Sequence, residues 1–235
     1  MEQGVFDGDC KFSCLPHEKN IMGLGTFKDF DGEMVAVDGE YFQIKSDGKV
    51  YAVNDSQVTP FVQVVNFESK EHIDLQDIQS YDQLNTILDK KLLKKNFPYA
   101  LRIDGKMKSL KIRSVCKQNK PYPPVVEAIK GQVIFDLENV EGSMVGFWFP
   151  DYWEKISLPG FHFHFISSDR KYGGHVLDVH LVQGHFSSAL LQNLSISLPN
   201  IETFSEANLN SGRLSSEKLQ KIAMESEIQF LKEIQ

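Results

Sequence analysis

The chain has 235 residues, 41% of them hydrophobic and 11% aromatic, with 17 phenylalanines and 24% charged residues. This composition belongs to a folded globular protein and excludes a disordered or fibrous one. A net charge of −7 argues against non-specific nucleic-acid binding, which needs a basic face, but leaves room for a small anionic substrate held by one or two buried cations.

Three cysteines, Cys10, Cys14 and Cys116, are too few for a disulfide framework. Cys10 and Cys14 resemble half a zinc site, but the chain has no second cysteine pair. No apolar run reaches the roughly 20 residues that a membrane helix needs. Met1 to Cys14 lacks the basic-then-apolar layout of a signal peptide. As it stands the chain reads as cytoplasmic; a leader removed beforehand would leave no trace in it.

Strands dominate the first third. Glu33 to Val37 alternates and stops at Asp38-Gly39, Tyr41 to Lys45 follows, and Val50 to Val53 comes after Ser46-Asp47-Gly48. Alternation broken by Asp-Gly pairs predicts hairpins. Residues 24–67 read as a meander, with Phe61 to Phe67 as a further strand. Ser80 with Gln83 three residues on is a capping-box pattern. Leu84, Ile87, Leu88 and Leu92 then recur at helical spacing. Lys90, Lys91, Lys94 and Lys95 crowd the last turns, where they suit the negative end of the helix dipole. Tyr99 to Asp104 and Met107 to Val115 read as two strands joined by a hairpin turn at Asp104-Gly105-Lys106.

Residues 117–124 break the pattern and mark a soft boundary, with one or two helical turns at Val125 to Ile129. Strands resume at Gln132 to Leu137, Gly142 to Phe149, Phe161 to Ile166, His175 to Leu181 and Ala189 to Leu198. Ser215 to Gln235 is polar and helix-prone. The expected fold is a mixed α+β one with two strand-rich sheet parts and few helices. Residues 1–123 carry a meander and a helix. Residues 124–235 carry a metal-binding β part on antiparallel strands, with a helical tail.

Three of the seven histidines form a pattern. His162 and His164 alternate with Phe161, Phe163 and Phe165. In a strand, side chains two apart share a face, about 7 Å from one another. That spacing lets both imidazoles reach one ion at about 2.0–2.1 Å. A lone strand histidine is usually a satisfied polar residue. Two alternating ones flanked by phenylalanine fit that reading badly, since burying unpaired imidazoles costs free energy. The polar stretch from Ser167 ends in Gly173-Gly174 and returns the chain, which sets His175 across from the pair. Three histidines leave coordination positions open, as at a catalytic zinc. His180 is expected on the opposite face of its strand from His175; it, His185, His72 and His17 read as non-ligands.

The run Gly160 to Phe165 followed by Gly173 to Asp178 resembles the metal signature of alpha-acetolactate decarboxylases. Gly25-Thr26-Phe27 with Asp31-Gly32-Glu33, Tyr99 to Arg113, and Val145 to Pro150 resemble three further blocks of that family, in the same order. The resemblance runs from about Gly4 to Asn208. It implies a zinc ion on His162, His164 and His175, Glu33 and Arg113 as active-site residues, and Thr26 at the substrate. It also implies a homodimer and a glutamate near the C-terminus. Leu219, Ala223 and Glu227 keep that last pattern's four-residue spacing, so Glu227 comes first and Glu225 second.

The implied substrate, acetolactate, is a 3-keto acid with a hydroxyl on carbon 2. Loss of carbon dioxide leaves an electron pair on carbon 2, delocalised onto the ketone oxygen as an enediolate. Zinc would stabilise that charge as a Lewis acid. Arg113 would grip the carboxylate or an adjacent oxygen with its planar fork. A buried carboxylic acid, Glu227 or Glu33, would protonate carbon 2 to give acetoin. Two other readings compete. A cupin-type dioxygenase or isomerase also carries a His-x-His pair, but no glutamate lies between Glu154 and Glu202 to complete its ligands. A non-catalytic ligand-binding sheet protein would hold a structural metal, which prefers four ligands to three.

Overall fold

The computed structural model describes residues 1–69 and 71–209. Apolar alternation builds its first sheet from β2 (Ile21–Thr26), β3 (Glu33–Val37), β4 (Glu40–Ile44), β5 (Val50–Ala52) and β7 (Val62–Asn66), in the order β5-β4-β3-β2-β7. The Asp38-Gly39 turn joins β3 to β4 with both residues at positive φ, 54° and 82°, as a tight two-residue hairpin requires. Two short strands, β1 (Cys10–Lys11) and β6 (Val58–Thr59), pair beside it.

The second sheet contains β8 (Glu71–Ile78), β9 (Tyr99–Ser114), β10 (Val133–Phe149), β11 (Gly160–Ser167) and β12 (Gly173–Leu190), ordered β11-β10-β9-β12-β8. It draws β8 and β9 from before residue 117 and the rest from after it. All pairings are antiparallel. β11 also pairs with β12, so β9, β10, β11 and β12 form a closed ring of pairings.

Side-chain alternation sorts the layers. Val35 and Val37 of the first sheet meet Val145, Phe147 and Ile166 of the second in one apolar cluster. The other face of the second sheet packs Leu101, Ile103, Phe163, Phe165 and Val176 against helix α1 (Tyr81–Asp89). Ser80 caps α1 by accepting a hydrogen bond from the Gln83 N–H at 3.2 Å. Leu84 and Leu88 are fully buried, worth about 1.5–3 kcal/mol each. Two short α-helices, α2 (Val125–Ile129) and α3 (Glu202–Ser205), and three single 3-10 turns at Phe12–Cys14, Lys28–Phe30 and Asp151–Trp153 complete the described elements.

Three expectations from sequence are corrected. Asp104-Gly105-Lys106 is no hairpin: β9 runs straight through it, and β10 likewise joins the two expected strands on either side of Asn139. Gly105 lies opposite Gly142 on β10 and Gly184 on β12. A Cβ at Gly105 would come within 2.5 Å of the Gln183 carbonyl oxygen, so this glycine serves close backbone approach inside the sheet. The helix ends at Asp89 with the lysines beyond it, although Leu92 still reaches the core. Finally, β12 extends to Leu190, and residues 191–201 form no strand despite the exposed alternation of Leu194, Ile196 and Leu198. Strand propensity without a pairing partner does not make a strand. The expected C-terminal helix, Ser215 to Gln235, lies outside the described residues.

Candidate metal centre and active site

Alternation along β11 turns Phe161, Phe163 and Phe165 into the core beneath α1 and the two imidazoles towards the first sheet. β12 returns beside it and pairs His175 with His164 on one side and with Arg113 of β9 on the other. One line of neighbouring rungs thus carries two imidazoles and a guanidinium across three strands. From the facing sheet, β3 contributes Glu33. Its parity with Val35 and Val37 points its side chain to the same interface.

The ligand nitrogens of His162, His164 and His175 all lie within 4.8 Å of one another. His162 Nε2 and His175 Nδ1 are 3.0 Å apart. Two nitrogens bound tetrahedrally to one zinc ion stand about 3.3 Å apart, so this pair is already at coordination spacing. His164 Nδ1 donates to the Met34 carbonyl oxygen at 2.8 Å, which leaves Nε2 with its lone pair facing the other imidazoles. An outer partner of this kind commonly fixes a metal-binding histidine. Burial holds His162 and His175 well below the usual histidine range and lowers His164 to about 3, with Arg113 adding its charge to each effect. Neutral imidazoles are the ligand form. The donor set, its spacing and its protonation all fit a divalent metal.

Arg113 Nη1 donates to Glu33 Oε1 at 2.8 Å, while Glu33 Oε2 stands 3.5 Å from His164 Nε2. Burial raises the Glu33 carboxyl against the pull of Arg113, and burial lowers Arg113 against the pull of Glu33. Arg113 Nε is buried with no hydrogen-bond partner among the described residues.

The five residues expected from sequence at the centre of the site therefore come together. Thr26 is next to them, as the ladder partner of Glu33, but its hydroxyl is engaged: it donates to the Gly32 carbonyl oxygen at 2.6 Å. Glu227 and Glu225 lie outside the described residues. One expectation is overturned. The register of β12 shifts between Val176 and Asp178, which puts His180 opposite Ser109 and His175 opposite Arg113, on the same side of the sheet. Simple alternation misses the extra residue of a bulge. His180 nonetheless stays outside the histidine cluster, 3.8 Å from Asp77. The sequence reading also missed the Met34 carbonyl, because a main-chain acceptor leaves no signature in the side chains.

The sequence model described as alpha-acetolactate decarboxylase matches residues 1–211. The alpha-acetolactate decarboxylase of Brevibacillus brevis is 37% identical over 206 residues, covering 88% of this chain and 72% of that protein. That of Methanosarcina mazei is 38% identical over 219 residues, covering 93% and 75%. The crystal structure of alpha-acetolactate decarboxylase from Bacillus subtilis matches with a TM-score of 0.86 at 36% identity, over 89% of each chain. With the family spanning nearly the whole chain and the fold matching a solved member, this chain belongs to the alpha-acetolactate decarboxylase family and is a lyase that decarboxylates acetolactate.

Proposed function

We propose that the decarboxylation depends on zinc held by His162, His164 and His175, with Arg113 and Glu33 handling the substrate. The observation that carries this reading is the convergence of three neutral imidazoles within 4.8 Å beside a buried Glu33–Arg113 pair. A zinc ion held by these three histidines would supply Lewis-acid stabilisation of the negative charge that decarboxylation develops.

The protein's own groups do the rest. The Nε of Arg113 is a buried donor that lacks an acceptor among the described residues, and such a group is costly unless a ligand meets it. The carboxylate of acetolactate supplies that acceptor, and the guanidinium plane orients it. Glu33, whose carboxyl is raised by burial, holds a proton more readily than an exposed glutamate does. It is one candidate for protonating carbon 2 after carbon dioxide leaves; Glu227, with Glu225 behind it, is the other. A donor fixed on one side of carbon 2 sets the handedness of the acetoin formed.

The test is acetoin formation from acetolactate by native protein, by chelator-treated protein restored with zinc, and by His164→Ala. Activity lost on chelation and recovered with zinc only in the native protein is the expected result. Full activity in a sample shown to be metal-free would overturn the zinc reading.

A further inference from the structure

Three of the four residues immediately before Glu33 have positive φ: Asp29 at 63°, Phe30 at 55° and Gly32 at 88° elsewhere in the same turn of chain from Asp29 to Gly32. Glycine adopts that conformation freely. Two consecutive non-glycine residues in it are strained, and strain of this kind persists only where the surroundings over-determine it.

Here the surroundings do. The Asp29 N–H donates to the Phe6 carbonyl oxygen at 2.8 Å, and the Asp29 carbonyl oxygen accepts from the Gln118 N–H at 2.7 Å. Its carboxylate accepts a hydrogen bond from the Tyr122 hydroxyl and pairs with Lys117 Nζ at 3.0 Å. The Phe30 ring stacks on Phe6 at 4.8 Å and shares an apolar cluster with Val115.

These contacts have a common geometry. Gln118, Lys117 and Val115 belong to the stretch of chain that leaves β9 just after Arg113. Asp29 and Phe30 belong to the loop that enters β3 just before Glu33. The loop and the stretch are stapled together within a few residues of the two groups whose side chains meet at 2.8 Å. Pairing in the ladder fixes Glu33 within its own sheet. The staple spans the two sheets and fixes one relative to the other at the site.

We propose that Asp29 is a positioning residue for the decarboxylation: by holding the loop before Glu33 against the chain after Arg113, it sets the separation of the two groups. This rests on the reading above that Glu33 and Arg113 act on the substrate. Asp29 touches neither substrate nor metal ligands; its effect passes through the backbone.

The variants separate conformation from clamp. D29G tolerates positive φ but loses the carboxylate. D29N tolerates it too and keeps an acceptor for Tyr122. Y122F removes one hydroxyl from outside the loop and provides the same test should D29G fail to fold. Because a displacement of about 1 Å at a catalytic group costs on the order of 100-fold, a partial loosening should lower kcat roughly 10-fold in D29G and a few-fold in Y122F. KM should stay within about twofold and bound zinc should be unchanged, while D29N should recover most of kcat. The enantiomeric purity of the acetoin, corrected for uncatalysed decarboxylation and compared at matched turnover, should fall with kcat, which a loss of folded protein alone would not cause.

E33Q runs alongside. If E33Q is inactive while folded D29G and Y122F match the native enzyme in kcat and product purity, the positioning role is overturned and the reading of Glu33 stands. If E33Q keeps full activity, the reading of Glu33 fails and the positioning role falls with it.

Discussion

Arg113 faces Glu33 across 2.8 Å, yet keeps one buried N–H without a partner among the described residues. Lysine would keep the charge but lose the planar fork. R113K should therefore lower kcat/KM by about 100-fold, which is ~2.7 kcal/mol of transition-state stabilisation. Steady-state kinetics on acetolactate would check this, and unchanged kinetics would show that only charge matters there. The residues of the site differ in how legible they were. His162 and His164 stood out because alternation with three phenylalanines is a rare pattern with a definite geometry. Glu33 and Arg113 came only through family resemblance, since a glutamate beside Asp31-Gly32 looks like any turn residue. Nothing in the sequence marked Asp29 as left-handed.

Elements were legible where local signals and pairing agree. Asp38-Gly39 makes the predicted hairpin, and Ser80 caps the predicted helix. S80A should cost about 1 kcal/mol in denaturant melts and leave kinetics untouched, because the cap lies on the far side of the second sheet from the histidines. Asp104-Gly105-Lys106 misled because the same dipeptide serves two purposes. Inside β9, Gly105 lets three strands approach at one level with Gly142 and Gly184. G105A should lose about 1–3 kcal/mol, since its Cβ would meet main-chain atoms that cannot swing aside. A stability equal to that of the native protein would show that the sheet relaxes there without cost.

At the scale of the molecule, the two sheets and α1 form three layers with the site between the sheets. Strand-rich character and antiparallel pairing could be read from spacing, but not which strands pair, because β8 and β9 join partners far along the chain. No helix among the described residues is long and apolar enough to cross a membrane. The staple at Asp29, and the neighbouring Asp7, which pairs with Lys120 at 2.8 Å, also make stability depend on pH. Burial pushes the Asp7 and Asp29 carboxyls up, but hydrogen bonds and charge from Lys120 at Asp7, and from Tyr122 and Lys117 at Asp29, outweigh it and hold both below the ordinary value. The unfolded chain then binds protons first as pH falls. Stability from these groups is complete above about pH 5 and is lost as pH drops through their folded values. Thermal melts of the native protein and of D7N/D29N should converge on acidification; parallel curves would dismiss this contribution.

The ring made by β9, β10, β11 and β12 has a consequence for how the protein opens. An ordinary sheet unravels from an edge, one strand at a time. A closed ring offers no such starting point, and β8 is the strand left hanging outside it. Amide protons of β8 should therefore exchange with heavy water through local fraying. Those of Phe163, Phe165 and Val176, next to the three histidines, should exchange only when the whole ring comes apart. The histidine cluster would then lose its shape only in the same event that unfolds the protein.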